Sequence, residues 1–114
     1  MSDALLGTWE ERVLLAVAHA GDEAYGMHLR REIERRSGRD VTLGAVYATL
    51  DRLEAKAYLA SRSGPGDASR RGRARRYFDL LPAGAHALQA AREVHDRMWE
   101  GVDLAAARGA GSGG

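Results

Sequence analysis

The chain has 114 residues, a formal net charge of +1 at neutral pH and no cysteine. This length suits one domain with a single core, and the lack of cysteine excludes disulfides, thiolate metal ligands and a cysteine nucleophile. The longest apolar stretch, residues 13–20, is too short to cross a membrane, and the N-terminus lacks the cationic start of a signal peptide. We therefore expect a cytoplasmic protein without membrane contact.

The first half of the chain predicts three short helices. Residues 8–11 have the Ser/Thr-x-x-Glu form of a capping box that begins at Thr8, and the apolar run behind them stops at Gly21. A second, amphipathic helix is predicted over residues 26–36. Thr42 is placed to cap a third helix. The apolar positions of that helix have the spacing of a single stripe: Leu43, Val46, Leu50 and Leu53.

The next segment predicts a β-hairpin with a basic tip. Strands are predicted over residues 58–62 and 75–80, with a long loop between them. Five arginines crowd into seven residues at the end of this loop: Arg70, Arg71, Arg73, Arg75 and Arg76. Residues 60–78 hold six arginines and one aspartate, which places a local charge of +5 on a nearly neutral chain. Such a run is either a solvated surface loop or a surface that holds a polyanion.

A last helix is predicted after the hairpin, over residues 81–108, with Pro82 in its first turn. Residues 1–7 are expected to form an N-terminal arm and residues 109–114 a flexible tail. The helix carries an apolar stripe suited to a partner helix. We predict a homodimer interface made from Leu88, Ala91, Val94, His95, Met98 and Val102, with the stripe continuing to Ala105.

The order of three helices, a hairpin and a helix predicts a mainly α protein with a small β-hairpin. This is the layout of a winged helix-turn-helix over residues 8–80, followed by a C-terminal dimerisation helix. In that fold the third helix enters the major groove of DNA, and the hairpin, called the wing, follows phosphates or the minor groove.

Four motifs resemble the PadR-type transcriptional regulators. They are Ala24-Tyr25-Gly26, Gly44-Ala45-Val46-Tyr47, Leu50-Asp51-Arg52-Leu53-Glu54, and Gly72-Arg73-Ala74-Arg75-Arg76-Tyr77-Phe78. The resemblance covers about residues 5–92 and implies a dimeric DNA-binding repressor of the short subfamily, often with a small-molecule inducer. Two positions depart from the family pattern, which usually has glycine at Ala57 and threonine at Leu81. Ala57 is penalised if its backbone is left-handed, and Leu81 offers no side-chain cap.

The third helix and the wing are the predicted DNA-contact surface. Small residues such as Gly44 let the helix backbone approach DNA closely, so few side chains remain to read bases. We expect Tyr47, Thr49 and Arg52 to do so. Thr42 and the helix N-terminus are expected to hold a phosphate, and the five clustered arginines to hold the backbone. The alternatives are that Tyr47 is a packing residue and that Arg52 pairs with a nearby glutamate.

The resemblance also implies a pocket for a flat aromatic effector between the subunits. The candidate ligand-binding residues are Trp9, Val13, His95, Met98 and Trp99. No catalytic, metal or cofactor motif occurs, and the four histidines lack the i, i+4 pairing of a metal site, so we expect no enzyme and no cofactor. The leading hypothesis is a homodimeric repressor that binds a near-palindromic duplex DNA site. The alternative is a winged-helix interaction module that binds an acidic protein partner.

Overall fold

The computed structural model describes residues 6–64 and 74–106. These residues form α1 (Thr8–Ala20), α2 (Gly26–Ser37), α3 (Leu43–Ala55), β1 (Leu59–Gly64), β2 (Arg75–Leu80) and α4 (Pro82–Trp99), with a short 3-10 turn (Gly21–Glu23) behind α1. The order is the predicted one, a mainly α fold with one hairpin. None of the helices in the described ranges is long and apolar enough to span a membrane. The predictions for Arg70, Arg71 and Arg73 lie outside the described residues.

The first three helices and β2 enclose one apolar core. Its fully buried side chains come from every one of these elements and include Val13, Leu14, Leu29, Val46, Leu50, Leu53 and Phe78. Three residues of the predicted α3 stripe, Val46, Leu50 and Leu53, are therefore buried, and the fourth, Leu43, is half-buried at the start of the helix. The cap of α3 is also confirmed, because Thr42 Oγ1 accepts a hydrogen bond of 3.0 Å from the Ala45 N–H. The core fixes α3 with its opposite face outward.

The cap of α1 lies one residue before the predicted position, and it has only the glutamate half of a capping box, because glycine has no side chain to accept a hydrogen bond. Gly7, not Thr8, is the cap residue, and its N–H donates to Glu10 Oε1 at 3.4 Å. The prediction that began the box at Thr8 is therefore wrong. The shift leaves Glu11 facing α4, where its Oε1 lies 3.3 Å from His95 Nε2.

The two strands of the wing are antiparallel, in a register that runs from Leu59 opposite Leu80 to Gly64 opposite Arg75. The other edge of β2 is also held, because the Phe78 N–H donates to the Ala24 carbonyl at 2.9 Å. An isolated bridge joins Tyr25 to Tyr77 beside it. The base of the wing is therefore fixed to the segment that leads into α2.

The last helix is shorter than predicted. It ends at Trp99, and Gly101 just beyond it has a left-handed φ of 77°. Val102 and Ala105 consequently lie past the helix, and the prediction of one continuous stripe to residue 105 is wrong. The first half of α4 packs on the core, whereas Met98 is 72% exposed on the second half.

Both departures from the family pattern have the predicted local consequence. Ala57 has a φ of 62°, the one left-handed non-glycine residue in the described ranges. Leu81 precedes α4 and makes no side-chain cap hydrogen bond. The backbone at Ala57 therefore has a conformation that glycine would adopt at lower cost.

Candidate nucleic-acid interface

One face of the molecule brings together the start of α2, the first half of α3 and the strand β2. A hollow of about 260 Å³ lies between these elements, and its lining residues are Tyr25, Met27, Arg31, Leu43, Tyr47, Arg75 and Arg76. Three of the seven are arginines and two are tyrosines. Guanidinium groups and phenol hydroxyls are donors that suit the oxygens of a phosphate chain. We take this hollow as the centre of the candidate interface.

Tyr47 both packs against the protein and lines the hollow. A Cβ atom added to Gly26 would lie 2.5 Å from the Cζ and Oη atoms of Tyr47, so the ring rests directly on the backbone at the start of α2. A side chain at position 26 would therefore displace the end of the Tyr47 ring. The ring is only half-buried. The packing role and a surface role for Tyr47 are thus compatible.

Arg75 is held on the wing by an aromatic pair. Its guanidinium carbon lies 4.0 Å from the centre of the Tyr25 ring. That ring meets Tyr77 edge to face, with 5.6 Å between the ring centres. Cation–π contacts of this kind contribute about 0.5–1 kcal/mol at exposed sites. The sequence shows Tyr25 only as part of a family motif, because its position beside Arg75 depends on the pairing of β2 with the Ala24 segment.

The side chain of Arg76 is turned towards α3, although its backbone lies next to the last described pair of the wing. Its Nη1 lies 3.0 Å from Asp51 Oδ1 and its Nη2 lies 2.6 Å from Glu54 Oε1, both on α3. Glu54 also accepts hydrogen bonds from the Ser61 hydroxyl at 2.7 Å and from the Ser61 N–H at 3.2 Å. These bonds from Ser61, together with the pairing to Arg76, lower the pKa of Glu54. Arg76, which the sequence assigned to phosphate, thus joins the wing to α3 and has its charge compensated there.

The sequence assignment of Thr49 as a base-reading residue is contradicted by its burial. Thr49 is 1% exposed, and its Oγ1 accepts a hydrogen bond of 2.8 Å from Arg52 Nη2. A side chain buried in this way cannot reach a base edge. The sequence spacing already indicated this burial, because Thr49 lies three residues after Val46 and four before Leu53, beside the apolar stripe.

Arg52 pairs with a glutamate, as the alternative interpretation of this residue predicts. Its Nε lies 3.9 Å from Glu10 Oε2, and Lys56 Nζ lies 2.9 Å from the same oxygen. The hydrogen bond from Lys56 lowers the pKa of Glu10 by more than its partial burial raises it. Just over half of the Arg52 side chain remains exposed. Arg52 therefore links α3 to α1 and still reaches the surface.

The exposed face of α3 is made mostly of very small residues. Its exposed positions are Gly44, Ala45, Ala48, Asp51, Arg52 and Ala55. Thr42 is also exposed, with its hydroxyl engaged in the cap. The first half of this face is thus nearly flat, and its charges lie in the second half of the helix.

The candidate effector residues do not form one site within the subunit. Val13 is fully buried in the core, so its assignment to a ligand pocket is wrong. Trp9 is half-buried against the core, whereas Trp99 is 58% exposed. A groove of about 420 Å³ between α1 and α4 is lined in part by Leu15, Leu88 and His95.

The predicted dimer stripe is partly used inside the subunit. Ala91 is 7% exposed and packs within the chain, which contradicts its assignment to an interface. Leu88 and Val94 are half-buried. The large apolar side chains that are exposed on α4 are Met98 and Trp99.

The three-helix core, the two-stranded wing and the additional helix define a winged-helix protein. F93 from STIV, described as a winged-helix DNA-binding protein, has a TM-score of 0.68 at 18% identity over 88% of this chain and 100% of its own. A PadR-like transcription factor from Bacteroides fragilis has a TM-score of 0.70 at 21% identity over 82% of this chain and 85% of its own.

Sequence comparison identifies the family within that fold. The model of the transcriptional regulator PadR-like family matches residues 14–90. Transcriptional regulator Rv3488 of Mycobacterium tuberculosis (strain ATCC 25618 / H37Rv) is 40% identical over 81 residues, which are 70% of this chain and 71% of the relative. The chain belongs to the PadR-like family of transcriptional regulators, and the resemblance seen in its motifs is confirmed.

Proposed function

We propose that this chain is a homodimeric repressor that binds a near-palindromic duplex DNA site. In this proposal α3 lies in the major groove and the wing lies along the phosphate backbone or the minor groove. The observation that carries the proposal is the basic hollow between α3 and β2, because it requires the helix and the wing to face the same side of the molecule. A single duplex can contact both elements only in that arrangement.

The charge distribution supports phosphate contact as the main source of affinity. The wing region, residues 60–78, carries +5 of charge in a chain of net charge +1. If about four arginines in each subunit neutralise phosphates, the logarithm of the binding constant falls with the logarithm of salt concentration with a slope of about −7 for a dimer. The near absence of base-reading side chains on the first half of α3 fits a protein of modest sequence discrimination.

The second half of α4 supports the homodimer. Met98 and Trp99 are large apolar side chains that are mostly exposed, and Leu15 on α1 is 41% exposed beside the α1–α4 groove. Apolar side chains on a helix that projects from its core are typical of a contact with a second copy. Two-fold symmetry would place the two α3 helices about one DNA turn, or about 34 Å, apart.

The same region supports a proposal about regulation. We place an aromatic effector between the subunits, next to Trp99 and His95, so that its binding alters the separation of the two α3 helices. Trp9→Phe leaves Trp99 as the single tryptophan, since the chain has two. We expect flat aromatic compounds to quench its fluorescence in a saturable manner. Quenching that rises linearly with concentration for every compound would contradict an effector site.

Fluorescence anisotropy of a duplex from the region upstream of its own gene tests DNA binding directly. We expect the wild-type protein to bind with steep salt dependence, and Arg75→Ala to make the slope shallower by about one unit per subunit. Arg36→Ala is the matched control, because Arg36 lines a groove between α1 and α2. Absent or salt-insensitive binding would contradict the proposal. Unchanged DNA affinity in Arg75→Ala with loss of an acidic protein partner would favour the interaction module instead.

A further inference from the structure

The outer face of α3 carries an acidic side chain where a DNA-binding surface would be expected to be neutral or basic. Asp51 has a side chain that is 61% exposed. It lies three residues after Ala48 and seven after Gly44, which places all three on the same face of the helix. In α3, which is described throughout, Asp51 and Arg52 are the charged residues among the exposed positions. A carboxylate on this face repels the phosphates of any duplex that approaches it.

Asp51 also acts on the wing through Arg76. The Arg76 guanidinium is shared between Asp51, at 3.0 Å, and Glu54, at 2.6 Å. Burial alone would lower the pKa of Arg76, but its hydrogen bonds to the two carboxylates outweigh this effect and raise the pKa. A phosphate that binds Arg76 must therefore displace a carboxylate that already compensates its charge. The second carboxylate, Glu54, is in turn fixed by Ser61.

The contacts of Asp51 should reduce the affinity for DNA most where binding does not depend on sequence. Non-specific binding to DNA comes almost entirely from phosphate contacts and counterion release. A carboxylate that pairs with an arginine and repels phosphate therefore lowers the affinity for non-specific DNA. On an operator that presents a cytosine to this face, the carboxylate can accept a hydrogen bond from the cytosine amino group, which offsets the repulsion in the specific complex alone.

We propose that Asp51 is a specificity-determining residue that suppresses non-specific DNA binding, by holding Arg76 away from phosphate and by presenting a negative charge on the outer face of α3. The inference rests on the proposed function, because it requires α3 and the wing to face DNA. It assigns a role in recognition to a residue that makes no favourable contact with the phosphate chain.

The variant Asp51→Asn tests this role, because the amide keeps the shape of the side chain and removes its charge. Binding is measured by fluorescence anisotropy on an operator duplex and on a random-sequence duplex of equal length, over a salt series. We expect the affinity of Asp51→Asn for the random duplex to rise about three- to tenfold at low salt, with a slope steeper by about one unit per subunit. The affinity for the operator should rise less, so the ratio of the two falls. A variant that had lost its fold would lose its preference for the operator, so the gain on the random duplex counts only while operator binding is kept.

Glu32→Gln is the matched control. Glu32 pairs with Arg35 and Arg36 at 2.9 and 2.8 Å, so this variant makes the same change of charge. Glu32 and Arg36 line the groove between α1 and α2, and neither lines the hollow beside α3. We expect its binding to the random duplex to match wild type. Adding Arg76→Ala to Asp51→Asn should return the salt slope to the wild-type value.

Three outcomes separate this inference from the proposed function. If wild type binds neither duplex, the proposed function is contradicted and the role of Asp51 is lost with it. If wild type prefers the operator but Asp51→Asn binds the random duplex as wild type does, only the role of Asp51 is contradicted. Equal gains in Asp51→Asn and Glu32→Gln would also overturn it, because net charge would then explain the result.

Discussion

The guanidinium of Arg75 lies 4.0 Å from the centre of the Tyr25 ring, and this contact joins the wing to the start of α2. Tyr25 is itself held on β2 by its bridge to Tyr77. The aromatic ring therefore fixes an arginine beside the hollow before DNA is bound. A side chain ordered in advance loses less conformational entropy on binding.

Tyr25→Leu should accordingly weaken DNA binding through Arg75. We expect a loss of about two- to fivefold in affinity, with a shallower salt slope, because the cation–π contact is removed. Tyr25→Phe keeps the ring and should bind as wild type does. The measurement is a salt series for both variants beside Arg75→Ala. If Tyr25→Leu lowers affinity without changing the slope, Tyr25 supports the fold and does not position Arg75.

Replacing Ala57 by glycine should stabilise the protein. The φ of 62° at Ala57 is unfavourable for a residue with a Cβ atom. Glycine relieves this strain, and we expect that gain to exceed the larger conformational entropy that a glycine loses when the chain folds. We expect the free energy of unfolding to rise by about 0.5–1 kcal/mol in urea denaturation. Ala48→Gly, in the interior of α3, is the control and should lower it by about 1 kcal/mol. Destabilisation by Ala57→Gly would show that the left-handed backbone carries no strain.

The carboxylate of Glu10 should make stability depend on pH. Its hydrogen bond from Lys56 lowers its pKa below the ordinary value of 4.5, so the stabilisation is complete above pH 4.5 and is lost as the pH falls through the lowered value. Glu10→Gln should lower the free energy of unfolding by about 0.5–1 kcal/mol at neutral pH. That difference should shrink as wild type is titrated below pH 4.5. A difference that stays constant across this range would contradict the ion pair as its source.

Met98 tests the dimer contact. Met98→Asp places a charge in the proposed interface, where it would be desolvated without a partner. We expect sedimentation analysis to show a dimer for wild type and a monomer for this variant. His86→Asp, at an exposed position on the first half of α4, should remain dimeric. A monomeric wild type, or a dimeric Met98→Asp variant, would contradict a dimer contact through Met98 on α4.

The fold was predictable because each element has a local signal. The α3 stripe has a clear period, Thr42 is a good cap, and Gly21 and Gly38 end α1 and α2. The cap of α1 was predicted one residue too late because residues 7–11 contain two glutamates at adjacent positions, and the sequence alone does not decide which of them accepts from the cap N–H. The end of α4 was also missed, since apolar spacing continued through Gly101.

The site was less predictable because it depends on contacts between elements. Arg76 was grouped with the loop arginines, and only the register of β2 beside α3 brings it to Asp51 and Glu54. Val13 was placed in a pocket by resemblance, although the helix around it is apolar on nearly every side and buries it. The burial of Thr49, in contrast, could have been predicted, because its spacing from Val46 places it beside the apolar stripe of α3.

Hydroxyl-radical footprinting of the operator is the measurement that tests the central claim, that α3 and the wing of each of two subunits contact one duplex. We predict protection that is two-fold symmetric, with centres about 10 base pairs apart. Arg75→Ala should lose the outer part of each protected region and keep its centre. A single asymmetric region, or a pattern that Arg75→Ala leaves unchanged, would contradict the account.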